Sequence, residues 1–299
     1  MTTSIRQMRE TDVVESARIF RLAFGTFLGM PDPAIFAAGR EYIATRFRTD
    51  PLASLVSESD GRITGSNIVT TWGSFGFFGP LTVLPELWDK GVARALLGPT
   101  MDLFDQRGVR QAGLFTFLQS PKHVALYQKF GFWPGFLIGV ASKPVTQAGH
   151  WTRYAPSAAS DCRALTDSIF EGLDLSHEIR AVEEQGLGET VLVWEGDSLG
   201  GFAVCHCGDG TEAGPDNCYI KFAVARGRTE FQQLLNACEA MAQKRGLARI
   251  ETGVNFERIE AYQELLRHGY RVERQALAMH RNGLRAYNRR DVYALDDWR

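Results

Sequence analysis

The fold is decided by one stretch of the sequence, VLPELWDKGVARALL, at residues 83–97. A strand-like run ends at Val83, and Gly91 then opens a helix-like run of small and apolar residues. The first turn of a helix has backbone N–H groups without an intrahelical partner, and the helix dipole adds partial positive charge there. Small residues and cations share this turn: Lys90, Gly91, Ala93 and Arg94. The stretch therefore favours a bound phosphate, although an ordinary strand-to-helix connection stays open.

The composition is that of a globular protein long enough for two domains. The chain has 299 residues, of which 44% are hydrophobic and 23% charged. The net charge of -2 does not favour nucleic acid or an anionic membrane as a partner. The polar N-terminus predicts no signal peptide, and no apolar run is long enough for a transmembrane helix. Five cysteines, an odd number without disulfide-framework spacing, indicate a reducing cytoplasm.

The order of predicted elements repeats once along the chain. Each half reads as strand, two helices, hairpin, strand, helix, strand, helix, strand. In the first half these elements are predicted at 5–8, 14–24, 36–47, 52–72, 77–84, 92–106, 111–118, 121–129 and 132–142. A linker-like segment, KPVTQAGH at 143–150, separates the halves. In the second half the elements are predicted at 151–154, 158–170, 177–185, 190–207, 218–225, 231–244, 248–254, 258–267 and 275–280. The sequence thus predicts two related tandem domains, 1–145 and 146–299.

The spacing of residues in the opening stretch is also that of a known motif. The residues concerned are Val83, Pro85, Gly91, Val92, Ala93 and Leu96. They resemble the acetyl-CoA turn of the Gcn5-related N-acetyltransferase (GNAT) family, V-x-P-x-x-(Q/R)-G-x-G-(I/V)-(G/A)-x-x-L. Trp88 stands where Gln or Arg is usual, and Asp89 where Gly is usual. Asp89 places a carboxylate near the expected pyrophosphate, so its side chain must point away or binding weakens.

A second motif follows at the separation usual in that family. Residues 120–132, SPKHVALYQKFGF, resemble N-x-x-A-x-x-L-Y-x-K-x-G-F, with Ser120 in place of Asn and His123 in place of Ala. The resemblance covers about residues 5–142. It implies an α+β fold in which each of two tandem GNAT-like domains has a mixed, mostly antiparallel central sheet flanked by helices.

The resemblance implies a cofactor site and one catalytic group. Acetyl-CoA would be bound by Leu81, Thr82, Val83, Asp89, Lys90, Gly91, Val92, Ala93, Arg94, Ser120 and Tyr127. In this family a splayed strand frees backbone groups for the pantetheine arm, and residues 81–83 occupy that place. A main-chain N–H near Val83 is the candidate oxyanion donor. Tyr127 is the candidate general acid for the departing thiolate, and its alternative role is a half-buried ring with a solvated hydroxyl.

No residue stands out as the base that frees the amine for attack. Glu86 follows Pro85 at the end of the strand and is the first candidate, with Glu58 and Asp32 behind it. Each of them also suits an ordinary surface carboxylate. A chain of water molecules could perform the same task.

The second half keeps the outline of the first but lacks its motif residues. Its equivalent turn is VARGRTEF at 224–231, in which Glu230 and Phe231 fill the positions that are small in the first half. Tyr262 lies seven residues before Gly269, whereas Tyr127 lies four residues before Gly131. The C-terminal domain is therefore predicted to be degenerate in cofactor binding.

The predicted function is transfer of an acetyl group from acetyl-CoA to a primary amine, which attacks the thioester directly in the N-terminal domain. The alternatives are a non-catalytic acetyl-CoA sensor or scaffold, and a tandem enzyme whose C-terminal domain is active. The acceptor is a small-molecule or peptide amine, with no nucleic acid or membrane partner, and a homodimer stays open. No metal is expected, because in a strand His206 points away from Cys205 and Cys207. The ring-bearing residues Phe20, Phe24, Phe27 and Phe36 are predicted as core or as a roof over the acceptor.

Overall fold

The computed structural model describes residues 3–298 of the chain. Its strands are β1 Ser4–Gln7, β2 Ser54–Ser59, β3 Arg62–Trp72, β4 Phe75–Val83, β5 Gln111–Thr116, β6 Phe132–Pro144, β7 Thr152–Arg153, β8 Gly188–Glu195, β9 Ser198–Cys207, β10 Asn217–Ala225, β11 Arg249–Asn255, β12 Arg271–Arg281 and β13 Tyr293–Asp296. Its α-helices are α1 Val13–Phe27, α2 Tyr42–Thr49, α3 Val92–Gln106, α4 Pro121–Gln128, α5 Ala159–Ile169, α6 Ser176–Glu184, α7 Arg228–Lys244 and α8 Ile259–Arg267. The α+β class and the repeated order of elements are confirmed.

The second predicted helix is shorter than the sequence indicated. Only Tyr42–Thr49 is α-helical, and a separate 3₁₀ turn covers Pro33–Ile35. Between them Ala37 and Gly39 have positive φ angles of 52° and 78°. A left-handed backbone cannot continue a right-handed helix, so the chain turns there before α2 begins.

The two halves share one sheet, because each of them gives a strand to the other. The strand order is β1-β2-β3-β4-β5-β12-β6-β11-β10-β9-β8-β7, and β13 pairs with β10. Strand β12 of the second half therefore lies between β5 and β6 of the first half. Strand β6 in turn pairs with β11 of the second half, with Ile138 opposite Asn255. The sequence predicted two sheets in tandem, and the exchange joins them into one.

Helices cover both faces of this sheet in the first half. On β3, Ile68 packs in the cluster formed with α1 and α2, whereas its neighbour Val69 packs in the cluster formed with α3 and α4. Successive side chains of a strand point to opposite faces, so the two clusters lie on opposite sides. The sheet separates α1 and α2 from α3 and α4, and the end of β4 leads into α3.

Strands β4 and β5 diverge after the first third of β4. They pair in parallel only from Phe75 opposite Gln111 to Phe77 opposite Gly113. Beyond that point β4 stays paired with β3 after a register shift between Asn67 and Val69. On the side of β5, no strand among residues 3–298 pairs with β4 beyond Phe77. The second part of β4 therefore has an open edge.

The corresponding strand of the second half has no such open edge. β10 pairs with β11 from Asn217 to Ile220, and β13 then pairs with it from Phe222 to Ala225. The strand β13 was not predicted from the sequence. It leads to Trp298, whose side chain is 1% exposed and stacks on Phe115 between the two halves of the molecule.

Candidate active site

The predicted phosphate turn has the backbone shape that its motif requires. Asp89 and Gly91 both have left-handed φ angles, 64° and 84°. Asp is one of the few residues other than glycine that tolerate this conformation, which explains how it can replace the glycine of the motif. The first helical hydrogen bond runs from the Ala95 N–H to the Gly91 carbonyl, at 3.0 Å. The preceding N–H groups lie at the free N-terminus of α3.

Open space lies beside Gly91, and the charge of Asp89 is paired with a cation. A Cβ placed on Gly91 would have no heavy atom within 4 Å. The Asp89 carboxylate forms an ion pair with Lys122 at the start of α4. The Trp88 indole N–H donates to the Val83 carbonyl at 2.9 Å, which fixes the ring against the end of β4. The two departures from the motif thus leave room for an anion at the turn.

The predicted pantetheine strand lies directly before this turn. Leu81, Thr82 and Val83 pair with Asn67, Ser66 and Gly65 of β3. Thr82 and Val83 are buried and Leu81 is half-buried. The edge of β4 that faces away from β3 is the open edge described above, so no strand of the described residues competes there with an extended ligand.

Helix α4 brings the second motif to the same place. The Ser120 hydroxyl caps the helix by accepting from the His123 N–H at 3.4 Å, a weak contact. Tyr127, one turn further on, is 8% exposed and its ring lies 5.7 Å from that of Phe78 on β4. The Tyr127 hydroxyl has no hydrogen-bonding partner within residues 3–298. Burial raises the pKa of Tyr127, so this hydroxyl keeps its proton at neutral pH.

A wall of aromatic rings connects α1 to α4 beside Tyr127. The Phe27 ring lies 4.7 Å from Phe117 and 5.0 Å from His123. The His123 ring lies in turn 6.5 Å from that of Tyr127. Burial, and then the charge of Lys122, lowers the pKa of His123. The sequence did not decide whether the phenylalanines of α1 lie in the core or form a roof over the acceptor. Phe27 belongs to the aromatic wall, because its ring contacts His123 and Phe117.

The three carboxylates considered as bases each have a partner of their own. Glu86 is 58% exposed at its side chain and lies 3.5 Å from Arg62. Glu58 forms an ion pair with Arg6 at 2.7 Å, and Asp32 accepts from the Ala34 N–H at 3.1 Å. The catalytic role of Glu86 stays a prediction.

The equivalent turn of the second half has a different backbone. Gly227, which precedes α7, is extended with φ at −158° rather than left-handed. Phe231 is completely buried, and its ring lies 5.6 Å from that of Tyr293 on β13. A side chain and a strand of the protein itself therefore fill the region that is open in the first half.

The cysteines of the second half are part of its core. Cys205 faces Cys238 of α7 at 3.9 Å between sulfur atoms, whereas the His206 ring faces Tyr219 on the other side of the sheet. Within residues 3–298 no group of three or more His, Cys, Asp or Glu residues is arranged to hold a metal ion. The same residues include no helix long and apolar enough to cross a membrane.

Sequence comparison agrees with this geometry. Residues 19–132 match the profile of the acetyltransferase (GNAT) family. A GNAT acetyltransferase domain is therefore recognised over residues 19–132, as the two motifs indicated. No curated protein has a matching sequence.

Solved structures of similar fold extend over both halves of the chain. A proposed acetyltransferase from Pyrococcus horikoshii has a TM-score of 0.71 at 14% identity, covering 99% of this chain and 95% of its own. A GCN5-related N-acetyltransferase from Sphaerobacter thermophilus has a TM-score of 0.62 at 13% identity, covering 93% of this chain and 95% of its own. A GCN5-related glucosamine N-acetyltransferase region of a fungal multi-domain GH3 β-N-acetylglucosaminidase has a TM-score of 0.64 at 14% identity, covering 93% of this chain and 38% of its own. At these identities the likeness shows the fold.

Proposed function

We propose that this chain is an acetyl-CoA-dependent N-acetyltransferase whose active site is the cleft at the open edge of β4. The observation that carries the proposal is the continuity of that edge with the left-handed turn at Asp89 and Gly91. An extended pantetheine arm would lie along residues 81–83, with its pyrophosphate on the amides of residues 89–94. Lys90 and Arg94 would add positive charge beside it.

The reaction needs one proton donor within the protein. The amine nitrogen attacks the thioester carbonyl carbon, and a backbone N–H near Val83 would stabilise the oxyanion. When the C–S bond breaks, Tyr127 would give its proton to the sulfur, because its hydroxyl is protonated and has no protein partner. The amine would give up its extra proton to water or to Glu86, the first candidate for the base.

We infer that the division at residues 145 and 146 separates a working unit from a degenerate one. In the second unit, the pairing of β13 with residues 222–225 of β10 would exclude a pantetheine arm. The extended Gly227 and the buried Phe231 would likewise exclude a pyrophosphate. The second unit would then serve the first as a structural partner.

The acceptor would be a small-molecule or peptide amine that approaches past the wall of Phe27, Phe117 and His123. Aromatic faces attract both apolar groups and ammonium groups, so they suit an amine that arrives protonated. Amino sugars are worth testing among these amines, because the fungal region of similar fold is named a glucosamine N-acetyltransferase.

The proposal is tested by titration calorimetry with acetyl-CoA and by acetyl-CoA consumption with a panel of amines. The panel would include amino sugars, amino acids, polyamines and short peptides. We expect one acetyl-CoA per chain and turnover with at least one amine. Binding without turnover by any amine would favour the sensor alternative. Two binding sites, or one site abolished by changes in residues 226–231, would contradict the assignment to the first half.

A further inference from the structure

A buried cluster of charges connects the two halves of the molecule. Arg46 of α2 lies in the first half, and Glu212, between β9 and β10, lies in the second. The guanidinium and the carboxylate form two hydrogen bonds, Nε to Oε1 at 3.2 Å and Nη2 to Oε2 at 2.6 Å. Their side chains are 1% and 0% exposed. A fork-to-fork pair of this kind fixes the orientation of the arginine as well as its position.

The cluster is balanced in charge. Lys221 on β10 lies 2.8 Å from Glu212 and 3.0 Å from Glu178 of α6. Burial by itself raises the pKa of Glu212, but Arg46 and then Lys221 outweigh burial and hold that pKa well below its usual range. Two cations thus face two carboxylates, and Glu212 stays ionised between Arg46 and Lys221.

Arg46 also reaches the strand that carries the open edge. Its Nη1 donates to the Gly79 carbonyl of β4 at 2.8 Å. Gly79 lies just beyond Phe77, where pairing with β5 ends, and within the register shift between Phe78 and Leu81. Arg46 therefore holds a backbone carbonyl at the point where β4 leaves β5.

We propose that Glu212 of the second half is a positioning residue for the active site of the first. Glu212 fixes the guanidinium of Arg46, and Arg46 fixes the bulged backbone of β4 at Gly79. This inference rests on the proposed acetyl transfer, because the bulge precedes residues 81–83 and so sets where the thioester lies relative to Tyr127. Displacement of a reacting group by about 1 Å is enough to lower turnover by about a hundredfold.

The test uses a double substitution that removes both charges of the pair. Arg46→Met together with Glu212→Met leaves no unpaired buried charge, because Lys221 keeps Glu178. Replacing a buried ion pair by apolar side chains of similar size is often compatible with folding. The matched control is Lys143→Met with Glu239→Met. That pair, 2.6 Å apart with side chains 13% and 3% exposed, joins β6 of the first half to α7 of the second, and neither residue lies on β4.

We expect turnover of the Arg46/Glu212 variant to fall by about ten- to a hundredfold while its affinity for acetyl-CoA changes less than about threefold. Amide hydrogen exchange across residues 77–84, measured without ligand, should become faster in that variant. The Lys143/Glu239 control should show neither change. Equal turnover in the variant and the parent, or the same loss in the control, would overturn the inference.

A second variant keeps the test decisive if the double variant does not fold. Arg46→Lys retains the charge beside Glu212 but cannot make the forked contact and reach Gly79 as well. It should fold, exchange faster across residues 77–84 and lose turnover. If amide exchange across residues 77–84 and turnover in Arg46→Lys equal those of the parent, the positioning role of Arg46 and Glu212 is refuted. If the parent itself neither binds acetyl-CoA nor acetylates an amine, the proposed function fails, and faster exchange in the variant would still show that Arg46 and Glu212 shape β4.

Discussion

The two halves of this protein have the same order of elements and differ at one strand edge. In the first half β4 turns an open edge toward the place where β5 has diverged. In the second half the equivalent edge of β10 is paired with β13 over residues 222–225. One half therefore offers its backbone hydrogen bonds to a ligand, and the other has satisfied them with its own chain.

The turns that follow those strands differ in the same way. The first turn is left-handed at Asp89 and Gly91, and the second is extended at Gly227. A shared fold thus carries a site only where the local backbone is left open for it. In the positioning role proposed above, Glu212 of the second half would act on β4 of the first through Arg46.

A substitution at Tyr127 gives the strongest test of the proposed difference in activity between the two halves. Tyr127→Phe removes only the hydroxyl, so the ring still packs against Phe78. We expect turnover to fall by about 10²–10⁴-fold with acetyl-CoA affinity almost unchanged, because the proton is needed only as the C–S bond breaks. Steady-state kinetics and calorimetry measure the two effects separately.

Tyr262→Phe is the matched control in the second half. Tyr262 lies on α8 and stacks on Phe256 with 4.6 Å between ring centroids. Turnover should stay at the parental level. If Tyr127→Phe also leaves turnover intact, the thiolate takes its proton from water or another group, and Tyr127 is a packing residue.

The phosphate turn gives the next largest effect. Gly91→Glu introduces bulk and negative charge into the open space beside the turn. We expect acetyl-CoA affinity to fall by about a hundredfold or more, because the added carboxylate would repel the phosphates that the backbone N–H groups attract. Calorimetry measures the affinity directly.

Gly246→Glu controls for backbone strain in that experiment. Gly246 has φ at 72° and also has no heavy atom within 4 Å of an added Cβ, but it lies beyond α7 in the second half. Both substitutions should cost about 1 kcal/mol of stability. Only Gly91→Glu should weaken binding, and equal binding in both variants would show that the turn holds no pyrophosphate.

Acid should destabilise the protein through two buried histidines, one on β9 and one on β12. Burial lowers the pKa of His206 to about 4 from a usual value of 6.5, and the nearby Lys221 adds to this against Glu212 and Glu178. Burial also lowers the pKa of His280, on β12, to about 4. Between pH 6.5 and 4 the unfolded chain binds protons that the folded chain does not, so stability falls as the pH falls.

Each histidine should cost about 2 kcal/mol of unfolding free energy between pH 7 and pH 5. Urea denaturation at the two pH values measures the loss. His206→Gln and His280→Gln should each flatten the dependence, since glutamine does not titrate. If the dependence of unfolding free energy on pH is unchanged in both variants, groups other than these histidines cause the acid sensitivity.

The smallest effect should come from restoring the glycine of the motif. Asp89→Gly keeps the left-handed turn and removes the carboxylate that pairs with Lys122. Acetyl-CoA should bind about threefold more tightly at low salt, because Lys122 becomes free to attract phosphate, and the gain should shrink as salt screens it. Asp60→Gly, at another exposed left-handed aspartate, should leave affinity unchanged. Weaker binding by Asp89→Gly would show that the ion pair supports the turn.

The sequence predicted well what depends on neighbouring residues. Helix α3 was expected at 92–106 and is found at Val92–Gln106, because Gly91 and the apolar period mark its ends. The glycine-bearing turn and the place of Tyr127 on a short helix also follow from local spacing. Their assignment as cofactor-binding and catalytic residues stays a prediction until the experiments above are done.

The tertiary structure alone decided what depends on distant partners. Strand β13 is only four residues long and carries no turn signal, so its pairing with β10 could not be predicted from the sequence. The exchange of β6 and β12 follows from packing two similar halves together, which strand propensity does not specify. Arg46 and Glu212 lie 166 residues apart, and only folding brings their charges into one buried contact. Short-range rules fixed the turn, the helices and the motif residues, whereas long-range pairing decided which edge stays open and what holds it in shape.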